Sequence, residues 1–409
     1  MDRRNEIFRA GMKSPIQRVS EREQAYVREA LENGFRFSKK TVFRMRLEEA
    51  FASRFGVPFA ISMSNGTAAI HATLEAAGIG AGDEVIVPAL TMSSPSLAVL
   101  QANATPVFAD VDRHTWVTDA ESIQAVMSPR TRAIITVALY GLPPQMHPIM
   151  ELARKHNLLV IEDNAQAMRS FCDGALAGTF GHCGIFSFQS SKHLTAGEGG
   201  MVITNDEAYA TKIRKAAGLG FTTLDARKAR MTKDELQHPT FERHDFPGWN
   251  YQMPELCCAV ALAQLERMDE LVAARKESAR LFLEAIRASG SNLLTPQHVP
   301  ANCVSSYWTL ACELDTTRVP WEDFRSRFLG RGGDRFYAAW QLAYLEPLFQ
   351  NALFGARSQF VERRYTRGLC PVSEAVQPRL VQFKTNYWRG SDAQEQAEIL
   401  QKTLQSFHE

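Results

Sequence analysis

Apolar residues follow two alternating spacings along much of this chain. Continuous apolar runs predict buried strands at residues 59–63, 84–87, 106–109, 133–139 and 158–161. Between these runs, apolar residues recur every three or four positions and predict helices at residues 67–77, 95–101, 119–127 and 147–156. Alternating strands and helices, with strands that are apolar throughout, predict a mostly parallel sheet covered by helices on both faces.

Two helices are expected before the first of these strands. Ser20 and Glu23 have the spacing of a capping box, in which each side chain bonds a backbone N–H at the start of a helix. Gly34 suits the end of that helix, because glycine adopts a left-handed conformation without strain. A second helix is expected over residues 41–55, with Gly56 after it.

The pattern in the second half of the chain predicts a second, smaller domain. Residues 221–246 are polar and charged and predict an exposed loop. Residues 254–280 carry apolar side chains at helical spacing and predict one long helix that links two domains. For a chain of 409 residues, we therefore expect a large domain over residues 1–274 and a small domain over residues 275–409.

Charge and hydropathy exclude several classes of partner. The chain has 46 basic and 45 acidic residues, so it lacks the basic excess that nucleic-acid binding requires. We expect no membrane partner, because no apolar run is long enough to cross a bilayer. The first residues also lack the apolar segment of a signal peptide.

The seven cysteines are scattered and include no CxxC pair. This pattern is typical neither of a disulfide framework nor of a zinc site. We therefore expect no metal site, and a reducing, cytoplasmic location.

Lys192 is the first candidate for chemistry. It follows an apolar strand-like run that ends at Ser187, and it precedes a turn that contains Gly197, Gly199 and Gly200. An isolated lysine is usually a solvated surface residue. A lysine in a partly apolar pocket instead has a lowered pKa and can form an imine and act as a general base.

Asp163 and the segment from Ser64 to Thr67 are two further candidates for chemistry. Asp163 ends the strand-like segment 158–163, where an isolated aspartate would usually cap a helix. The segment opens the helix expected at 67–77, whose free N–H groups can bind phosphate, although a simple capped turn is the alternative. An amine, a carboxylate and phosphate donors are what pyridoxal phosphate requires of a protein.

These segments resemble one family over most of the chain. The sequence is similar to the DegT/DnrJ/StrS family of sugar and cyclitol aminotransferases in the runs Ser64–Ala69, Glu162–Gln166 and Lys192–Gly200. The resemblance implies a fold type I pyridoxal phosphate transferase in the α/β class. Such a protein has a large domain with a mostly parallel seven-stranded sheet between helices, and a smaller C-terminal α+β domain.

The resemblance also implies roles for individual residues. Lys192 matches the lysine that forms a Schiff base with the cofactor, and Asp163 the acid that binds its pyridine nitrogen. The other matches contact the cofactor's phenolic oxygen, its ring face or its phosphate: Gln166, Met92, Asn65, Gly66, Thr67, Ser187 and Asn250. In the family, the residue matching Asn250 comes from the second subunit of a homodimer. Gln252 is a second candidate for that contact.

The implied reaction moves an amino group from L-glutamate or L-glutamine to a keto sugar, which is expected to be linked to a nucleotide. The alternatives are a keto-cyclitol acceptor, a sugar dehydratase, or a protein that binds the cofactor without turnover. Retention of Lys192 favours amino transfer, because some relatives that act as dehydratases carry histidine there. Met92 departs from the aromatic residue that usually stacks on the cofactor.

The acceptor subsite is not evident from the sequence. Trp308, Tyr337 and Trp340 can stack on a sugar or a base, but such residues are more often core of the small domain. Basic residues that suit a diphosphate are present, although such side chains are usually only solvated: Lys228, Arg230, Arg331 and Arg335.

Overall fold

The computed structural model describes residues 16–35, 42–229 and 237–407. Its main feature is a seven-stranded sheet in the order β1-β9-β8-β5-β4-β2-β3. The strands are β1 (Phe59–Met63), β2 (Glu84–Pro88), β3 (Thr105–Ala109), β4 (Thr131–Val137), β5 (Leu159–Asp163), β8 (Cys183–Ser187) and β9 (Gly200–Thr204). The pairs β2/β3, β2/β4, β4/β5 and β5/β8 are parallel, whereas β9 is antiparallel to both β1 and β8. The expectation of a mostly parallel sheet is confirmed.

Helices cover both faces of this sheet. They are α1 (Glu21–Glu32), α2 (Phe43–Phe55), α3 (Gly66–Ala76), α4 (Ser94–Gln101), α5 (Ala120–Val126), α6 (Met146–His156), α7 (Glu207–Ala217) and α8 (Glu255–Glu266). Val85 and Val87 of β2 belong to one buried apolar cluster, and Ile86 between them belongs to another. Successive strand residues point to opposite faces, so two cores explain why these strands are apolar without interruption.

The N-terminal helices begin and end close to where the sequence predicts. Ser20 and Glu23 form the expected capping box at the start of α1. Gly56 follows α2 with a φ of 67°, in the left-handed region that glycine tolerates best. Residue 41, where the second helix was expected to begin, lies outside the described residues.

The C-terminal part has a separate antiparallel sheet in the order β10-β12-β14-β13. Its strands are β10 (Leu294–Pro296), β12 (Thr309–Leu314), β13 (Tyr337–Ala338) and β14 (Leu380–Lys384). The helices of this region are α9 (Met268–Ala288), α10 (Trp321–Gly330), α11 (Pro347–Gln350), α12 (Pro371–Val376) and α13 (Gly390–Gln405). The expected domain boundary at residues 274/275 falls inside α9 and stays a prediction.

A small three-stranded sheet joins the two parts. It consists of β6 (Phe171–Cys172), β7 (Ala175–Leu176) and β11 (Cys303–Val304). Cys172 and Cys303 face each other across β6 and β11, but all seven cysteines are free thiols. The expectation that the chain has no disulfide framework stays a prediction.

Two expectations for the middle of the chain are wrong. The stretch 254–280 is not one helix, because Arg267 leaves helical geometry between α8 and α9 and its side chain pairs with Glu23 of α1. The segment 221–246 is not simply an exposed loop, since Leu224 and Ala226 are buried. Residues 230–236 of that segment, including Arg230, lie outside the described residues.

The described residues show neither a metal-binding cluster nor a membrane span. Within the described ranges, no group of three or more His, Cys, Asp or Glu residues has the arrangement of a metal site. Across the same ranges, no helix is both long and apolar enough to cross a bilayer.

Candidate active site

A cavity of about 580 Å³ opens at the carboxyl ends of β5 and β8, beside the start of α3. In parallel sheets, ligands collect at these ends of the strands. Eight of the nine predicted site residues line it, namely Asn65, Gly66, Thr67, Met92, Asp163, Gln166, Ser187 and Lys192. The fold therefore brings together residues that are up to 127 positions apart in sequence.

Lys192 lies in a tight turn after β8, where its N–H donates to the carbonyl of Gln189 at 2.9 Å. Its Nζ lies 4.6 Å from the ring centroid of Trp308. Burial lowers the pKa of this amine from 10.5 to about 8. The carboxylate of Asp163 opposes this shift, and the charge of Arg275 adds to it. A larger neutral fraction at physiological pH makes the amine a better nucleophile.

Asp163 is the last residue of β5 and is buried. Its Oδ1 accepts a hydrogen bond from the N–H of Ala165 at 3.0 Å. Burial raises the pKa of this carboxyl above its usual value, while the Ala165 N–H and the Lys192 amine oppose the rise. A cation placed against the second oxygen would stabilise the ionised form.

The neighbouring Glu162 has a structural role. Its carboxylate accepts hydrogen bonds from the backbone N–H groups of Gly178, Phe180 and Gly181, between 2.6 and 2.8 Å. Glu162 and Asp163 are adjacent on one strand and so point to opposite faces of the sheet. Only Asp163 of this pair lines the cavity.

The N-terminus of α3 forms one end of the cavity. Asn65 is its N-cap and accepts from the N–H of Ala68 at 2.8 Å. Gly66 lies so close to β8 that a Cβ there would be 3.4 Å from the Cβ of Ser187. Thr67 Oγ1 lies 2.8 Å from Ser94 Oγ. Free helix N–H groups surrounded by hydroxyls are the donor set that a phosphate requires.

Gln166 and Met92 lie along the sides of the cavity. Gln166 Oε1 accepts from the N–H of Tyr140 at 2.9 Å, which orients its Nε2 as a donor. Met92 is 43% exposed, and Ser94 Oγ donates to its sulfur at 2.9 Å. The thioether is therefore held in place and can pack against a ring.

Asn250 does not line this cavity and is exposed. It forms a single β-bridge with Gly218. Gln252, the second candidate, is engaged within the chain, because its Oε1 accepts from Arg44 Nη1 at 2.6 Å. The structure therefore does not bring either residue into the cavity of the same chain.

The sequence interpretation left several cavity and support residues unassigned. Trp308 and Trp340 were given as residues that can stack on a sugar or a base, with the small-domain core as the favoured place, and both line the cavity. Tyr337 is 67% exposed and is not core either. Tyr251 also lines the cavity, and Arg275 holds the backbone at Lys192 from α9. Nothing in their local sequence marks these residues, because distant strands and helices bring them to the site.

Comparisons with known proteins identify the family of the chain. A model of the DegT/DnrJ/EryC1/StrS aminotransferase family matches residues 17–395. The chain belongs to this family. The resemblance and the α/β fold expected from the sequence are both confirmed, and the chain is an aminotransferase.

Named relatives cover most of the chain. The GDP-perosamine synthase of Caulobacter vibrioides is 40% identical over 299 residues, which are 73% of this chain and 76% of that protein. A Streptoalloteichus tenebrarius protein, named provisionally as an L-glutamine:3-amino-2,3-dideoxy-scyllo-inosose aminotransferase, is 34% identical and covers 67% of this chain and 63% of its own length. The crystal structure of an aminotransferase from Psychrobacter cryohalolentis has a TM-score of 0.81 at 30% identity, and covers 97% of this chain and 100% of its own.

Proposed function

We propose that this aminotransferase uses pyridoxal phosphate to move an amino group from L-glutamate or L-glutamine to a keto sugar linked to a nucleotide. One observation carries the proposal. A lysine amine of lowered pKa, a buried carboxyl group and a helix N-terminus line the same cavity. This combination matches the three chemical groups of pyridoxal phosphate, which are an aldehyde, a ring nitrogen and a phosphate.

The residues present fit the cofactor. The Lys192 amine would hold the aldehyde, and Asp163 would accept a charge-assisted hydrogen bond from the ring nitrogen. The N–H groups of α3 and the hydroxyl of Ser187 would donate to the phosphate. Gln166 has its Nε2 free to donate to the phenolic oxygen, since its Oε1 is already bonded to Tyr140.

The chain's own contribution to the reaction is proton transfer and electrostatics. When bound, pyridoxal phosphate supplies an aldehyde that takes up the amino group and a ring that absorbs electrons. Lys192 Nζ would take the proton from the α-carbon of the donor and return a proton to the carbon of the acceptor. Asp163 would keep the ring nitrogen protonated, because a buried carboxylate is stabilised by an adjacent cation.

Reduction of the holoenzyme with borohydride tests the role of Lys192. The treatment should fix the cofactor to the peptide that contains Lys192, as peptide mass spectrometry would show. Lys192→Ala should remain unlabelled. An unmodified Lys192 peptide in the wild-type chain would contradict the assignment.

The relatives favour a nucleotide sugar as acceptor. Those named GDP-perosamine synthase are 40%, 37% and 30% identical to this chain, and their name includes a GDP-linked sugar. The test is a panel of nucleotide-linked 3- and 4-keto sugars and keto inositols, with glutamate or glutamine as donor. Replacement of the keto oxygen by an amino group, read from product mass, is the expected result.

A keto cyclitol is the second candidate acceptor. The relative from Streptoalloteichus tenebrarius supports it, since its provisional name includes a scyllo-inosose. The same panel separates the candidates, because amination of a keto inositol but of no nucleotide sugar would favour the cyclitol.

Product mass and spectroscopy would separate the remaining alternatives from amino transfer. Loss of water without gain of nitrogen would indicate a dehydratase. A protein that binds the cofactor without turnover would not convert the bound aldehyde to the amine form when glutamate is added. The wild-type chain should convert the bound aldehyde to the amine form, and the absorbance that makes the holoenzyme yellow should then be lost.

We further propose that the active site is shared in a homodimer, with Asn250 contributed by the partner. Among the described residues that line the cavity, Lys192 is the sole lysine or arginine. A carboxylate or diphosphate of the substrate therefore requires donors from elsewhere. The exposed Asn250 lies beside Trp249, which is 44% exposed, as expected of an interface.

Mixing two inactive variants tests this arrangement. In a heterodimer of Lys192→Ala and Asn250→Ala protomers, one of the two sites regains both wild-type residues if Asn250 acts across the interface. Unfolding and refolding the mixture should restore about a quarter of wild-type activity by random pairing. No recovery would show that Asn250 acts within its own chain, whereas an Asn250→Ala variant that is active by itself would show that Asn250 has no role in the reaction.

The seven free thiols support a reducing, cytoplasmic location for the enzyme.

A further inference from the structure

Two tryptophans form an aromatic wall of the cavity. Trp308 precedes β12 and Trp340 follows β13, and both side chains line the cavity beside Lys192. Their ring centroids are 5.9 Å apart and their planes differ by 18°. Trp340 is 36% exposed. An indole that faces solvent leaves apolar surface in contact with water, which is unfavourable. A ligand that covers this surface therefore gains binding free energy.

Trp308 is fixed in its orientation. Its indole N–H donates to the carbonyl of Ser191 at 2.9 Å. Its own carbonyl accepts from Arg275 Nη1 at 2.7 Å and from Thr385 Oγ1 at 2.9 Å. Trp308 is therefore in place before any ligand arrives, and packing against it costs little side-chain entropy.

Tyr140 supports the wall from the large sheet. Its ring centroid lies 6.5 Å from that of Trp340, with planes 21° apart. Tyr140 is fully buried and has a φ of 60°, which is uncommon for a large side chain. Such strained residues concentrate at functional sites. The same residue donates its N–H to Gln166, so the wall and the predicted cofactor contact are held by one turn.

We propose that Trp308 and Trp340 form the acceptor subsite, where they hold the ring of the keto sugar by its C–H face. The inference rests on the proposed function and adds the residues that select the acceptor. The carbon that receives the nitrogen must come within reach of Lys192 Nζ, which lies over Trp308. The sugar atoms next to that carbon therefore meet the tryptophans, whereas a nucleobase lies beyond the diphosphate.

The aromatic wall also explains how one cavity accepts two unlike substrates. L-glutamate has no ring and gains nothing from a flat aromatic surface. A pyranose presents several C–H groups on one face, which pack on an indole ring. We therefore expect the wall to act in the acceptor half of the reaction and to leave the donor half unchanged.

Substitution of Trp340 tests the proposal, with the two half-reactions measured separately on the holoenzyme. With the acceptor that the panel identifies, Trp340→Ala should raise the acceptor KM roughly tenfold or more, as expected for the loss of one stacking surface. The rate at which glutamate converts the bound aldehyde to the amine should change less than about twofold, since that step involves no ring. Trp340→Phe should restore most of the acceptor affinity.

Tyr337→Ala is the matched control. Tyr337 lies on the same short segment, is 67% exposed and does not line the cavity, so both half-reactions should be unaffected. Equal losses in the donor and acceptor half-reactions of Trp340→Ala would show a merely structural role. An unchanged acceptor KM in Trp340→Ala would also overturn the proposal, even if Trp340→Ala is less stable.

Titration with GDP alone decides which part of the acceptor meets the wall. If the sugar ring packs there, GDP affinity should be the same for wild type and Trp340→Ala. A matching loss of GDP affinity would place the base on the tryptophans and overturn the assignment of the sugar. Failure of the proposed function looks different, because then wild type would aminate no member of the panel.

Discussion

Arg275 Nη2 donates to the backbone carbonyl of Lys192 at 2.9 Å. The same nitrogen donates to the carbonyl of Ser191 at 2.8 Å, and Nη1 donates to the carbonyl of Trp308 at 2.7 Å. Arg275 is 1% exposed and sits on α9, so it joins the turn that carries the lysine to the segment that carries the aromatic wall. Its charge also lowers the pKa of the Lys192 amine.

Replacement of Arg275 should therefore have two separable effects. Arg275→Met removes a donor from three carbonyls. The carbonyls of Ser191 and Trp308 keep a second donor, whereas that of Lys192 loses its donor, at about 1–3 kcal/mol if water does not reach it, so urea unfolding should show a loss of stability. The pKa of Lys192 should also rise, because a nearby positive charge is removed. The pH dependence of cofactor reconstitution in the apo protein should move upward accordingly.

Two variants separate charge from geometry. Arg275→Lys keeps the charge but not the planar fork, so it should lose stability while leaving the pH dependence of reconstitution nearly unchanged. Arg280→Met removes a partly exposed arginine from the same helix and should cost under about 1 kcal/mol. An upward pH shift in Arg275→Lys as large as in Arg275→Met would contradict the electrostatic part of the explanation.

The lowered pKa of Lys192 predicts how the apo protein responds to alkaline pH. The folded amine has a pKa of about 8, against 10.5 ordinarily. Between these values the unfolded chain binds more protons at this site, so stability should rise with pH from about 8 to 10.5. Lys192→Met should not show this rise in the free energy of unfolding, which amounts to up to about 3 kcal/mol in the wild-type chain. Urea unfolding of both proteins across this window gives the difference, and parallel curves would contradict the shift.

A buried ion pair joins α2, β1 and α7. Arg214 Nη2 lies 2.9 Å from Glu48 Oε2, and both side chains are buried. Glu48 also accepts from the N–H of Ser62 at 3.0 Å, and Arg214 donates to the carbonyl of Ala226 at 3.1 Å. Each charge is thus paired and hydrogen-bonded, as buried charges require.

Arg214→Met should destabilise the protein by about 3–5 kcal/mol, because it leaves a buried carboxylate unpaired. The double variant Glu48→Leu/Arg214→Met should recover much of this loss, since it removes both charges together. Denaturant midpoints of the wild type, the single variant and the double variant measure the effect, provided that the m-value is the same for all three. A double variant as unstable as the single one would mean that the hydrogen bonds to Ser62 and Ala226 matter more than the charge balance.

The sequence predicted the large sheet well because its strands are buried on both faces. For such strands the apolar run itself marks the element, and most observed bounds lie within two residues of those expected. The break at Arg267 was missed because its neighbours keep helical spacing, while its partner Glu23 is 244 positions away. The burial of Leu224 was missed for a similar reason, since its surroundings in the sequence are polar.

The site was predictable where chemistry and local pattern coincide. Asp163 ends one apolar strand and Lys192 follows another, so their position at the carboxyl ends of the strands follows from sequence order. Trp340 was not predictable, because an aromatic residue after a short strand looks the same whether it faces a core or a cleft. Its exposure is decided by Trp308 and Tyr140, which lie in other parts of the chain.

Gly200 offers a test of the predicted phosphate site that does not touch a ligand donor. It begins β9, and a Cβ there would lie 2.6 Å from the carbonyl carbon of Asn65, so Gly200→Ala must displace the turn at the start of α3. We expect the Kd of pyridoxal phosphate for the apo protein to rise at least about tenfold, because helix N–H groups bind phosphate only when aligned. Gly390→Ala, where a Cβ meets no atom within 4 Å, should bind normally. Equal affinities for wild type and Gly200→Ala would show that the phosphate is held elsewhere.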